Sequence, residues 1–135
     1  MALLLRYLLS VMVLIASKDE ESVGSLAASL EGAGCRLEIA RTDAEIFEKL
    51  SEEYPDFLVL DIETTDLKPA SLVSILRYIA PSLKVIALTG CSTLEDAAVI
   101  EKGVFYYTSK PVGSELVELI QKGIILDFQK KGGVC

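Results

Sequence analysis

Residues 55–61 read PDFLVLD, in which a proline and an acid precede four apolar residues and a second acid, Asp61. A short apolar run bounded in this way predicts a buried β-strand. Four more runs have the same character, and the five predicted strands are residues 11–16, 35–40, 57–60, 83–88 and 105–108. Strands that are apolar along nearly their whole length predict a sheet that is covered on both faces.

Helical segments separate the five runs, because apolar residues recur there three and four positions apart. The second predicted helix starts at Thr42 or Asp43 as its N-cap, the third at Pro69, and the fourth after Ser92. Since a single helix connects each strand to the next, the strands are expected to be parallel. The sequence therefore predicts a single α/β domain, a doubly wound (βα)5 fold with a parallel five-stranded, flavodoxin-like sheet.

The composition excludes several classes of function. The chain has 135 residues, a net charge of −7 and no histidine, which rules out catalytic triads, histidine metal ligands and histidine phosphocarriers. An acidic chain without a basic stripe is not expected to bind nucleic acid directly. No glycine-rich loop follows the first predicted strand, so a nucleotide-binding enzyme is not supported. Three cysteines without a CxxC pair predict a reduced, cytoplasmic protein.

The chain is divided into an apolar lead-in at residues 1–10, a domain at residues 11–127 and a tail at residues 128–135. The lead-in is too short for a membrane span, which needs about 20 apolar residues. It also lacks the basic start and the small residue before the cleavage position of a secretory signal. Its five leucines would expose a large apolar patch, and this predicts a homodimer or a segment folded back over its own domain.

In a doubly wound fold, the functional site lies at the carboxyl ends of the strands. Polar residues follow all five predicted strands. They are Ser17, Lys18 and Asp19 after the first, Arg41 to Asp43 after the second, Asp61 after the third, Thr89 after the fourth and Lys110 after the fifth. These residues are the candidates for function.

Three motifs at these ends resemble the receiver domain of bacterial response regulators. They are PDFLVLD at residues 55–61, VIALTG at residues 85–90, and the stretch from Gly103 through Tyr107 to Ser109-Lys110-Pro111. The resemblance covers residues 11–125, with the three motifs in the family's order. It implies a signalling domain of a two-component phosphorelay that acts by protein contacts, not by catalytic turnover.

The resemblance also assigns roles to individual residues. Asp61 matches the aspartate that accepts a phosphoryl group from a histidine kinase or phosphotransfer protein. Thr89, Lys110, Tyr107 and Pro111 match the residues that contact the phosphoryl group or respond to it. The implied cofactor is Mg²⁺, for which Asp19, Asp61 and Glu63 are the candidate ligands. A cation and a lysine suit this chemistry because a carboxylate attacking a phosphoryl group faces repulsion between anions.

The loop after the first strand departs from the family's adjacent pair of acids. Alignment by the strand puts Ser17 and Lys18 at the two positions, whereas alignment by the first helix puts Lys18 and Asp19 there. Both alignments stay open. In either case Lys18 brings a positive charge that could pair with Asp61 within about 4 Å and lower its nucleophilicity. The alternative function is therefore a pseudo-receiver, an interaction module that is never phosphorylated.

Residues 60–67, LDIETTDL, also resemble the first motif of DEDD-type 3′-5′ exonucleases. In that motif, Asp and Glu two positions apart on one strand face the same side and hold two metal ions. That family needs two further aspartates and a His or Tyr base in a longer chain. No histidine is present and no tyrosine follows Tyr107, so the four-carboxylate site is not expected to assemble.

Overall fold

The computed structural model describes residues 11–89, 94–109 and 113–130. Within those ranges, five strands alternate with five helices. The strands are β1 (Met12–Ala16), β2 (Arg36–Ala40), β3 (Phe57–Asp61), β4 (Lys84–Thr89) and β5 (Tyr106–Ser109). The helices are α1 (Glu20–Gly32), α2 (Asp43–Glu53), α3 (Pro69–Ile79), α4 (Leu94–Glu101) and α5 (Gly113–Lys130).

The five strands form one parallel sheet in the order β2-β1-β3-β4-β5. This order confirms the predicted doubly wound (βα)5 fold. The register places Ala16 opposite Leu60 and Asp61 opposite Leu88. The chain leaves β1 and moves outward to β2, then crosses back past β1 to β3, so the carboxyl ends of β1 and β3 flank the switch point where doubly wound sheets place their sites.

Two apolar layers cover the sheet, because successive strand residues point to opposite faces. On one face, α1 and α5 pack against Val13, Ile15, Phe57, Val59 and Ile86. On the other face, α2, α3 and α4 pack against Leu14, Leu58, Leu60, Val85 and Ala87. The continuous apolar runs of β1, β3 and β4 are thus explained by burial on both sides, whereas the edge strands β2 and β5 are more exposed.

The helix ends follow local sequence signals. Thr42 is the N-cap of α2, and its side chain accepts a hydrogen bond from the backbone N–H of Glu45 at 3.1 Å. Pro69 occupies the first turn of α3, as predicted. The predicted cap Ser92 and the lead-in at residues 1–10 lie outside the described residues. Helix α5 continues to Lys130, which is inside the segment predicted as the tail.

Among the described residues, no helix combines the length and the apolar character needed to cross a bilayer.

Candidate functional site

The carboxylate of Asp61 lies at the end of β3 and is buried, with 1% of its surface exposed. The hydroxyl of Ser17 donates to Oδ2 of Asp61 at 2.8 Å, and the backbone N–H of Glu63 donates to Oδ1 at 3.1 Å. The contact between Ser17 and Asp61 follows from the register of the sheet. Ala16 is paired with Leu60, so the residues that follow them, Ser17 and Asp61, lie side by side. The strand pairing therefore sets Ser17 beside Asp61.

Ser17 is buried and takes part in three hydrogen bonds. Its backbone N–H donates to the carbonyl of Ala40 at 3.1 Å, which extends the pairing of β1 with β2. Its hydroxyl oxygen accepts a hydrogen bond from the backbone N–H of Asp19 at 3.0 Å while its proton goes to Asp61. The hydroxyl therefore ties the start of α1 to the carboxylate at the end of β3.

Lys18 points to the loop that follows β3. Its ammonium forms an ion pair with Oδ1 of Asp66 at 2.5 Å, and its backbone N–H donates to Oγ1 of Thr64 at 3.1 Å. The pairing of Lys18 with Asp61 that the sequence suggested is therefore wrong, because the ammonium binds the more exposed carboxylate of Asp66 instead. Contact with Lys18 and with the backbone N–H of Asp43 holds the pKa of Asp66 below its ordinary value.

Asp43, which the sequence offered as a helix cap and as a polar residue after the second strand, holds the loop that follows β3. Its buried carboxylate accepts hydrogen bonds from the backbone N–H groups of Asp66 at 3.2 Å and Leu67 at 2.8 Å. In return, its own backbone N–H donates to Oδ2 of Asp66 at 2.9 Å. The loop after Asp61 is thus fastened to the start of α2 and, through Lys18, to the loop after β1.

The remaining predicted residues are distributed around this edge of the sheet. Thr89 is the last residue of β4, one position beyond Leu88, which pairs with Asp61. Tyr107 lies on β5 opposite Ala87, and 51% of its surface is exposed. Lys110 and Pro111 lie outside the described residues, so their predicted roles stay predictions.

The candidate metal ligands do not come together in the part of the chain that the structure describes. The carboxylate of Asp19 caps α1, where it accepts hydrogen bonds from the backbone N–H of Ser22 at 3.4 Å and from its hydroxyl at 2.9 Å. Among the described residues, no group of three acidic, histidine or cysteine side chains could hold a metal ion. A cavity that Ser17 and Asp61 line together with Asp43, at the carboxyl ends of β1, β2 and β3, has a volume of about 10 Å³, which is about one water molecule.

Mg²⁺ prefers an octahedron of oxygen ligands and keeps several of its own waters. The carboxylate of Asp61 is already bonded to the Ser17 hydroxyl, and the buried carboxylate of Asp43 beside the same cavity accepts two backbone N–H groups of the loop after β3. In a cavity of this size, the described residues do not fit that requirement. The prediction that Asp19, Asp61 and Glu63 act as metal ligands stays a prediction that these contacts do not support.

The exonuclease-like arrangement required Asp61 and Glu63 on one strand. That arrangement is not found, because β3 ends at Asp61 and Glu63 lies in the turn that follows. The two side chains therefore do not share the face of a strand.

Comparisons with known proteins agree with the fold and with the motifs. The model of the response regulator receiver domain family matches residues 13–122. The DNA-binding transcriptional regulator NtrC of Escherichia coli (strain K12) is 34% identical over 102 residues, which cover 73% of this chain and 22% of NtrC. The transcriptional regulatory protein PrrA of Mycobacterium tuberculosis (strain ATCC 25618 / H37Rv) is 32% identical over 111 residues, which cover 81% of this chain and 48% of PrrA. The chain thus spans less than half the length of either relative.

Solved structures give the same result. A response regulator receiver domain protein (CheY-like) from Methanospirillum hungatei JF-1 has a TM-score of 0.78 and 29% identity, covering 90% of this chain and 98% of that one. A response regulator signal receiver domain from Bermanella marisrubri has a TM-score of 0.77 and 21% identity, covering 84% and 97% of the two chains. The second likeness concerns the fold alone.

Proposed function

The chain belongs to the response regulator receiver domain family, a family of signalling modules and not of catalytic enzymes, and from that premise we propose how its pocket works. Asp61 is the phosphoacceptor of a two-component phosphorelay, but its pocket is altered so that phosphorylation is a weak input. The domain then signals through protein contacts. The observation that carries this proposal is the hydrogen bond from Ser17 to Asp61. In the alignment by the first strand, Ser17 stands where the family keeps an acid.

Phosphorylation of Asp61 requires one carboxylate oxygen to attack phosphorus while the bond from phosphorus to its leaving group breaks. The lone pairs of Asp61 are partly engaged, since Oδ2 accepts the Ser17 hydroxyl and Oδ1 accepts the N–H of Glu63. These bonds stabilise the free carboxylate and must weaken as the acyl phosphate forms. The pocket therefore favours the unmodified aspartate.

The charge balance of the pocket supports the same proposal. Receiver chemistry needs positive charge close to the attacking carboxylate, because the incoming donor is an anion. The ammonium of Lys18 is committed to Asp66, and the buried carboxylate of Asp43 adds negative charge to that loop. By family resemblance, Lys110 supplies the remaining point charge, Thr89 donates to a phosphoryl oxygen, Tyr107 changes its orientation in response, and Pro111 shapes the loop beside the lysine.

Labelling with a small phosphodonor in the presence of Mg²⁺ tests the proposal. We expect weak labelling of the wild type, loss of that label in Asp61→Asn, and at least about tenfold more label in the double variant Ser17→Asp/Lys18→Asp, which restores the acid pair. Lys102→Asp is the matched control, because it changes an exposed lysine outside the pocket in the same way. Equal labelling of the wild type and Asp61→Asn would overturn the assignment of Asp61. Equal labelling of the wild type and the double variant would overturn the altered pocket.

A second candidate function is a pseudo-receiver that is never phosphorylated. The observation that favours it is the network from Lys18 through Asp66 to Asp43, which ties three loops at the switch point without any ligand. Contacts that join three loops in this way would hold the domain in one state. In the labelling experiment, this function predicts no label on the wild type under any condition, together with label on the double variant.

The partners follow from the family and not from the contacts of the pocket. A histidine kinase or a phosphotransfer protein is the proposed donor, and the proposed location is the cytoplasm. NtrC and PrrA are named as transcriptional regulators, so an output partner that acts on transcription is consistent with these relatives.

A further inference from the structure

An apolar groove lies at the opposite end of the sheet from Asp61, between the last turns of α2 and α3. Its volume is about 630 Å³, within the range of about 300–1,000 Å³ that is typical of ligand pockets. Its larger apolar side chains include Phe47, Leu50, Tyr54, Pro55, Ile79 and Leu83. Tyr54 is 79% exposed and Ile79 is 52% exposed, so large apolar surface faces the groove without cover from the described residues.

The rim of this groove adjoins the point where the described chain begins. Asp56 lines the groove and is joined to β1 by two hydrogen bonds. The backbone N–H of Met12 donates to Oδ2 of Asp56 at 3.0 Å, and the backbone N–H of Asp56 donates to the carbonyl of Met12 at 2.9 Å. Val11, the first described residue, is therefore the neighbour of a residue that is bonded to the rim of the groove.

We propose that residues 1–10 of the same chain occupy this groove. The segment reads MALLLRYLLS, so its leucines match an apolar lining. Ten residues span about 15 Å as a helix and about 33 Å when extended, which is enough to cross a groove that begins at Asp56. The segment has one charge, Arg6, and α2 ends in Glu52 and Glu53 with no basic residue in its last turn, so the charges are complementary.

The same chain is a better source of this segment than a second copy. A segment joined directly to the rim has an effective concentration in the millimolar range. A second copy at micromolar concentration must also overcome the loss of translational and rotational freedom on association. In the homodimer predicted from the same leucines, residues 1–10 of a second copy would occupy the groove. The experiment distinguishes that arrangement from occupancy by the same chain.

Hydrogen–deuterium exchange of the full-length chain tests this placement through the amides of residues 1–10. The variant Ile79→Glu puts a charge into the groove, and the control Ile75→Glu puts the same charge on α3 one turn away, at a residue that is 40% exposed and does not line the groove. We expect protected amides in the wild type and in Ile75→Glu, and at least about tenfold faster exchange in Ile79→Glu. Unprotected amides in the wild type, or equal exchange in both variants, would overturn the proposal.

Two measurements on the unmodified chain keep the test independent of how the variants fold. We expect nuclear Overhauser contacts from leucine methyls of residues 1–10 to the rings of Phe47 and Tyr54. We also expect a monomer in light scattering across micromolar concentrations, with protection that does not change on dilution. Absence of the ring contacts would overturn the placement. A dimer whose protection falls on dilution would assign the groove to the segment of a second copy and would overturn occupancy by the same chain.

Discussion

Gly123 in α5 packs so closely against Phe57 that the position has no room for a side chain. A Cβ added there would lie 2.6 Å from Cζ and 2.8 Å from Cε1 of Phe57. The Phe57 ring has little freedom to move, because it is almost completely buried, packs edge-on against Phe105 at 6.3 Å between centroids, and lies under the ammonium of Lys84 at 5.9 Å. We therefore expect Gly123→Ala to destabilise the domain.

The magnitude follows from two opposing terms. Replacing glycine by alanine inside a helix stabilises by about 1 kcal/mol. Forcing an extra methyl group into a packed core costs about 1–3 kcal/mol. Because the added methyl group would lie less than 3.0 Å from a ring that cannot easily move, we expect a packing cost near the upper end of that range. The free energy of unfolding of Gly123→Ala should therefore fall by about 1–2 kcal/mol. Gly24 in α1 is the matched control, because an added Cβ meets nothing within 4 Å. Gly24→Ala is expected to stabilise by about 0.5–1 kcal/mol.

Urea denaturation of the wild type and both variants measures the two effects. The midpoint should fall for Gly123→Ala and rise for Gly24→Ala, with the slope m unchanged. The two variants should differ by about 1.5–3 kcal/mol in the free energy of unfolding. If both variants were stabilised to the same extent, the close packing of α5 against Phe57 would be refuted.

Three further predictions concern the pocket. Ser17→Ala should lower the free energy of unfolding by about 1–3 kcal/mol in urea denaturation, because the buried Asp61 loses its hydroxyl donor, and an equal effect of the exposed control Ser25→Ala would contradict this. Asp43→Ala should cost about 2–4 kcal/mol and speed amide exchange in the loop after β3, because two backbone N–H groups lose a charged acceptor; slow exchange in the variant would be the contrary result. Lys18 lowers the pKa of the Asp66 carboxyl below its ordinary value of 3.8. The ion pair between the two side chains should therefore be fully present above pH 3.8 and be lost only as the pH falls through the lower pKa of the folded state. A carboxyl NMR titration should show a higher midpoint in Lys18→Met, and an unchanged midpoint would count against the pair.

The architecture could be predicted from the sequence because each local signal agrees with the sheet. The run at residues 57–60, the N-cap Thr42 and the proline at Pro69 depend on neighbouring residues only, and each is found where it was predicted. The position of Asp61 at the end of β3 follows from the same run. Local periodicity and cap chemistry therefore suffice for the order of the elements.

The contacts of the pocket could not be predicted, because they depend on pairing between distant segments. Two alignments of the first loop were open, and the pairing of Ala16 with Leu60 brings Ser17 beside Asp61. The partner of Lys18 is likewise decided by a loop 48 residues further along the chain. An aspartate that accepts two backbone N–H groups, such as Asp43, has no signature in the sequence beyond its place at a helix start.

The altered pocket proposed above implies that the residues around Asp61 do not supply the ligands of a magnesium site. An NMR titration of the full-length chain with Mg²⁺ tests it at the backbone amides of Lys18, Glu63 and Thr64, which surround Asp61. We predict no saturable shift in the wild type up to about 10 mM Mg²⁺, and saturable shifts in Ser17→Asp/Lys18→Asp, because that double variant supplies the oxygen ligands that Mg²⁺ prefers. A saturable shift of these amides in the wild type at millimolar Mg²⁺, lost in Asp61→Asn, would contradict the account.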